Sequence, residues 1–251
     1  MELPPGVTAY RRALILPIAR KPKQIPEVHE FVMVAMGLFL VYLGLVFYNQ
    51  FTYLHGVTRG EKIDGKTMSK DALLVIDIQS SFPQADERLR VKSPSAYQFI
   101  QHVNTAIDYF NRRGGDIVYI AQVKEAGTLR SLFMPHIPVQ GSKEAALSPN
   151  LHQHQPQIIT KLRADAFSNP ELRRHLDQRQ VGKLFITGMA AEVCVDFTIQ
   201  GAINRGYQVY VIREGIFALL GEESKEKRLR KYAALGAKII SGAELPKYDS
   251  E

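Results

Sequence analysis

Two hydrophobic patterns divide the chain. The first is a single run, Phe31 to Tyr48 (FVMVAMGLFLVYLGLVFY), with no charged residue, no Asn or Gln and no Pro. Its 18 residues span roughly 27 Å as a helix, close to the ~30 Å hydrocarbon core of a bilayer. The second pattern begins near Asp71, where short apolar runs alternate with segments of helical period. ALLVIDI (72–78) reads as a buried parallel strand. Ser93-Pro94 then opens a helix with Ala96, Phe99, Ile100, Val103, Ala106, Ile107 and Phe110 on one face, closed by Gly114-Gly115. Strands follow at 116–122, 157–160, 183–187, 207–212 and 237–240. Helices are expected at 169–178, 191–205 and 222–235. Alternating strands and helices predict right-handed βαβ units, an open and mostly parallel sheet covered on both faces. The expected organisation is a tail (1–30), a membrane-crossing helix (31–54), a polar linker (55–70) with Gly56, Gly60 and Gly65, and an α/β domain (71–245).

The run at 31–48 has two other readings. A core helix rarely stays apolar on every face for five turns. A cleaved signal peptide fits poorly with a preceding tail of about 30 residues and no small-x-small site. The expectation is therefore one uncleaved membrane anchor in a single-pass membrane protein, with lipid as a partner. Tyr42, Tyr48 and Tyr53 crowd its C-terminal half as an interfacial belt would. Arg11, Arg12, Arg20, Lys21 and Lys23 precede it, and Arg59, Lys62, Lys66 and Lys70 follow. That balance favours a positive-inside N-terminus by only one or two charges, so the side of the globular domain stays open. The Pro-broken tail is expected to lie along the membrane or a partner.

Composition narrows the chemistry. The 251 residues carry a net charge of +7, with 23% charged residues and one cysteine. A wholly disordered chain, an intramolecular disulfide and a zinc site of several thiolates are excluded. The basic run KEKRLRK (225–231) has no stacking aromatics beside it, so it reads as the wet face of a helix and no nucleic-acid partner is expected. The segment 124–156 lacks periodicity. It holds Phe133, Met134, His136, His152 and His154, and is expected over a pocket or at a subunit interface, its histidines solvated.

In open α/β sheets ligands bind beyond the carboxyl ends of the strands. Asp77 ends the first strand, Lys161 follows 157–160, and Cys194 opens the helix after KLFIT. An acid, an amine and a thiol on one edge suit nucleophilic catalysis. A helix N-terminus and an ammonium would lower the thiol pKa, and the carboxylate would take its proton.

ALLVIDIQSSF, ITKLRADAFSNPEL and ITGMAAEVCVDFTIQGAINRGYQVYVI together resemble the isochorismatase-like cysteine hydrolases, which include nicotinamidases, N-carbamoylsarcosine amidohydrolase and ureidoacrylate amidohydrolases. The resemblance covers residues 71 to 242. It implies a three-layer α/β/α sandwich and a catalytic acid at Asp77 within DIQSSF. It also implies a lysine at Lys161, a nucleophile at Cys194, a cis peptide joining Met189 to Ala190, and an oxyanion hole from the Ala190 and Cys194 amides. Nicotinamidases hold a metal with Asp and His after the second strand; here AQVKEAGTLRSLF has neither, so no metal and no cofactor are expected. Other departures fall at Ala191, Asn169-Pro170 and Glu214, expected at the pocket rim. Isochorismatase proper lacks the cysteine, so Cys194 implies hydrolysis of a C–N bond in a small amide or ureido molecule. The alternative is a catalytically retired hydrolase fold serving as an accessory subunit of a membrane complex. Homo-oligomer or membrane-complex subunits are the expected protein partners.

Overall fold

A computed structural model describes residues 28–81, 94–128, 131, 134 and 136–248. The N-terminal tail up to residue 27, Phe82 of DIQSSF, the Ser93 cap and Phe133 lie outside the described residues.

The chain divides into two units between Phe47 and Tyr48. Helix α1, Val28–His55, runs across that division and contains the whole apolar run. It is long and apolar enough to cross a membrane, and none of Glu30–Tyr48 is buried.

The larger unit is built on six strands: β1 (Lys70–Ile76), β2 (Asp116–Gln122), β3 (Gln157–Lys161), β4 (Val181–Gly188), β5 (Gln208–Ile216) and β6 (Lys238–Ile240). Their order is β3-β2-β1-β4-β5-β6, and every strand pair is parallel. Among the described residues four α-helices connect them: α2 (Pro94–Arg112), α3 (Pro170–Gln178), α4 (Cys194–Asn204) and α5 (Glu222–Ala234). The period-two alternation of β1 splits its apolar residues between two cores. Ala72, Leu74 and Ile76 pack with Leu172, Ile199, Leu229 and Tyr232 from α3, α4 and α5. Leu73 and Val75 pack with Phe99, Val103, Ile107 and Phe110 from α2. The result is the three-layer α/β/α sandwich that the pattern predicts.

The 55–70 segment differs from its reading as a linker. It has little regular structure, yet it is fastened to the domain. Thr58 donates its amide and hydroxyl to Asp165 Oδ2 at 2.8 and 2.6 Å. Arg205 donates to the carbonyls of Thr58 and Arg59, and Arg173 to that of Glu61. Gly65 lies so close to the Gly206 carbonyl that a Cβ would stand 2.5 Å from it. Composition marks such a stretch as polar and glycine-rich; it does not show that its backbone satisfies a buried Asp and Arg.

Strand order reverses between β1 and β4, because the chain builds outward on one side of β1 and then crosses to the other. Ligands bind at such a switch point. Gly188 ends β4 here with φ +127°, and a Cβ on it would lie 2.2 Å from the Ile76 carbonyl. Only glycine lets the two central strands finish this closely.

Candidate active site

Three strand ends deliver the side chains. Asp77 directly follows β1 in a left-handed conformation, φ +56°, its amide bonded to the Ile120 carbonyl at 2.9 Å. Aspartate tolerates this region better than most residues. Lys161 is the last residue of β3 rather than the first beyond it, paired in the parallel ladder with Gln122 of β2. Beyond β4 the chain passes Met189–Ala190, whose peptide bond is cis, and Cys194 begins α4 three residues later than the expected helix start.

The three side chains converge. Lys161 Nζ donates to Asp77 Oδ2 at 2.8 Å and to Gln122 Oε1 at 3.1 Å. Cys194 Sγ donates to the same Gln122 oxygen at 2.9 Å. Gln122, the last residue of β2, thus joins amine to thiol. It was not among the expected site residues, although it ends a strand on the same edge as they do. Gln79 fixes it in turn, accepting from the Gln122 amide and donating to its carbonyl.

Electrostatics correct one expectation. The Cys194 thiol is pushed well above its ordinary range, first by burial and then by the Asp77 charge; Lys161 pulls in the other direction without offsetting them. The reason is pairing: the ammonium is already neutralised by Asp77. Burial alone would lower the Lys161 pKa, but Asp77 and then Cys194 more than offset this, and it is raised. The resting site therefore holds a thiol beside an ion pair. Asp77 Oδ1 is buried and has no hydrogen-bond partner among the described residues.

A cleft of about 230 Å³ opens onto Asp77, Gln122 and Cys194. Its walls include Met134, His136, Ile137 and Pro138 from the aperiodic segment, with Met189, Ala190, Val193 and Leu219. The segment 124–156 thus lies over the pocket in part. Lys124 is buried within it and donates to the Ser131 and Met134 carbonyls.

The expected rim departures do not line the cleft. Asn169 caps α3 through the Glu171 amide and donates to the Thr160 carbonyl. Glu214 accepts from Ser241 Oγ and the Gly242 amide, tying β5 to the C-terminal turn, and Ala191 is fully buried. The basic run on α5 is also more than a wet face, since Arg228 and Lys231 pair with buried Asp196. His152 and His154 are exposed, but both meet Asp108.

An all-parallel α/β/α sandwich with an acid, an amine and a thiol at its switch point defines the class, and comparison with known proteins supplies the family. The isochorismatase domain model matches residues 71–244, and the chain belongs to that family of hydrolases. An uncharacterised isochorismatase family protein, PncA of Bacillus subtilis (strain 168), is 27% identical over 184 residues, covering 68% of this chain and 98% of the relative. The nicotinamidase of Escherichia coli (strain K12) is 27% identical over 180 residues, 59% of this chain and 83% of that protein. Among solved structures, the pyrazinamidase of Pyrococcus horikoshii in complex with zinc superposes with a TM-score of 0.59 at 25% identity, covering 69% and 99% of the two chains. The N-carbamoylsarcosine amidase of Thermoplasma acidophilum gives 0.61 at 20% identity over 70% and 99%, a likeness of fold.

A metal at the cleft does not fit the side chains present. Among the described residues no three His, Cys, Asp or Glu gather there. After β2 stand Val123 and Lys124, and the Lys124 ammonium puts a cation of the protein's own in the wall-forming segment.

Proposed function

We propose that this protein is a membrane-anchored cysteine hydrolase that cleaves a C–N bond in a small, uncharged amide or ureido compound. The observation that carries the reading is the unpartnered, buried Asp77 Oδ1 beside Cys194, in an acid whose other oxygen is bound to Lys161. Among the described residues nothing else bonds to that oxygen, so it can accept the thiol proton.

Cys194 Sγ attacks the carbonyl carbon while its proton passes to Asp77. A raised thiol pKa requires this coupling of attack to proton transfer, because little thiolate stands ready. Lys161 keeps Asp77 in place and offsets negative charge as the proton moves. The amides of Ala190 and Cys194 receive the oxyanion of the tetrahedral intermediate. Collapse breaks the C–N bond; the nitrogen takes the proton from Asp77 and leaves as ammonia or an amine. Water then attacks the thioester and gives a proton to Asp77. As the C–S bond breaks, that proton returns to sulfur, and the acid product departs.

The substrate class follows from the walls. Met134, Ile137, Pro138, Met189 and Leu219 are apolar, and the one carboxylate among the described lining residues, Asp77, is paired with Lys161. A neutral amide keeps its polar atoms for the site and its body for these walls. The open cleft and the intact acid–amine–thiol set count against a retired subunit.

The anchor rests on α1. Glu30–Tyr48 would reach about 28 Å as a helix, and side chains as large as Phe31, Leu38, Phe39 and Leu45 are all exposed. Lipid is the partner that would cover them on every side.

The activity is tested by ammonia release from a panel of neutral primary amides and ureido compounds. Wild-type protein is expected to release ammonia from members of the panel and Cys194→Ser to release none. Equal release by the two would refute the reading.

A further inference from the structure

Outside the residues that line the cleft, α2 and the segment before β3 bring together a second group of reactive side chains. His152 Nδ1 lies 2.8 Å from Asp108 Oδ1, and His154 Nε2 lies 3.3 Å from that same oxygen. One ligating atom from each residue falls within 4.8 Å of the other two. We propose that Asp108, His152 and His154 form a binding site for a borderline divalent cation of the Zn²⁺ type, separate from the hydrolytic site.

The donor set carries the choice of ion. Two imidazole nitrogens and one carboxylate oxygen are the ligands zinc and its neighbours take, whereas calcium and magnesium prefer oxygen alone. At metal–ligand distances of about 2.0–2.1 Å, tetrahedral ligands stand roughly 3.3 Å apart. One nitrogen–oxygen separation equals that value and the other falls about half an ångström short, so an ion would require side-chain shifts of about half an ångström or more.

The backbone that carries the histidines is fixed independently of any ion. Asn104, one helical turn before Asp108 and on the same face of α2, donates to the Asn150 carbonyl and accepts from the His152 amide. Tyr119 on β2 donates its hydroxyl to the His152 carbonyl at 2.8 Å. Three hydrogen bonds therefore hold the backbone at Asn150 and His152 before a cation arrives, which removes part of the ordering cost of binding. The three side chains are one-third to one-half exposed, which gives the ion a path in and leaves a coordination position for water.

The site is a clamp on the segment that supports the catalytic loop. Ser148 donates its amide to the Ile78 carbonyl, and Leu147 bridges to Gln79, so the polypeptide leading to His152 is bonded to the residues just after Asp77. An ion held between α2 and His152 would steady that segment.

The test is a cobalt titration of untagged full-length protein in detergent after removal of metals by chelation. Cys194→Ala is used throughout, so that no thiolate can bind the ion. One equivalent of Co²⁺ should bind with visible ligand-field absorption and be displaced by Zn²⁺. His152→Ala and His154→Ala should each weaken binding by at least about 10- to 100-fold, the loss seen when a metal shell is disturbed. His136→Ala, which alters the cleft, should leave it unchanged. Circular dichroism of each variant reports whether the fold is kept, and Asp108→Asn provides a third substitution should either histidine variant fail to fold. No saturable binding, or binding that survives loss of both histidines, would overturn the proposal.

Discussion

At the residue scale the site turns on how one carboxylate divides its two oxygens. Oδ2 holds Lys161, while Oδ1 is buried and unpartnered. The Asp77 charge raises the Cys194 pKa and Lys161 lowers it, so substitutions should move thiol reactivity in opposite directions. Alkylation tracks the thiolate. Wild-type Cys194 should therefore react with iodoacetamide more slowly at pH 7 than a free thiol, and faster as pH rises. Asp77→Asn removes the anion and leaves the ammonium unpaired, so alkylation should quicken while turnover falls by about 10²–10⁴-fold for loss of the general base. Lys161→Met should slow alkylation further. Rates from intact mass over a pH series check all three, and an Asp77→Asn protein alkylated more slowly than wild type would contradict the electrostatics. Asp77, Lys161 and Cys194 were legible in the sequence because each ends a strand or opens a helix on one edge. Gln122 satisfies the same rule as the last residue of DIVYIAQ, but an amide carries no charge and drew no notice. The direction of the thiol shift was not legible: sequence places an ammonium nearby, but only coordinates show it already paired.

At the element scale, turn chemistry and period fixed which segments are helix and which strand, and tertiary contacts set their ends. The helix after β4 was expected from Ala191, yet Ala191 donates its amide to the Phe217 carbonyl and α4 begins at Cys194. The 55–70 segment, expected as a polar linker, is fastened by partners more than a hundred residues away, which composition does not show. Thr58→Val removes the hydroxyl donor to Asp165, whose pKa burial already raises. Urea unfolding should show a loss of about 1–3 kcal/mol, the penalty for a buried group left short of a partner. Glu192 has a comparable role at the cleft mouth, accepting from the amides of Leu219 and Leu220 and from Ser224 Oγ. Burial opposes ionisation there, but those hydrogen bonds outweigh it and lower the Glu192 pKa below its ordinary 4.5. A group depressed on folding contributes stability above its unfolded pKa and loses it as pH falls through the folded one. Unfolding midpoints should therefore drop less between pH 6 and pH 3 in Glu192→Gln than in wild type; parallel profiles would remove the carboxylate from the account.

At the scale of the whole molecule, two hydropathy regimes correspond to two units. The α/β unit buries its strands from both sides, whereas α1 buries none of Glu30–Tyr48. Full-length protein should sediment with membranes, resist alkaline extraction and retain residues 1–55 by mass. Deleting those residues should release a soluble domain that still contains Thr58 and all of β1. A mature chain lacking the helix would mark a removed signal sequence, and aggregation of the truncated domain would place α1 in its core.

The thioester is the central claim, and intact mass spectrometry of enzyme acid-quenched during turnover of a neutral amide tests it most directly. The mechanism expects an added mass equal to the acyl group, mapped to Cys194, lost in Cys194→Ser and discharged as a hydroxamate when hydroxylamine is present. Ammonia release with no acyl adduct and no hydroxamate, or an adduct that persists in Cys194→Ser, would contradict it.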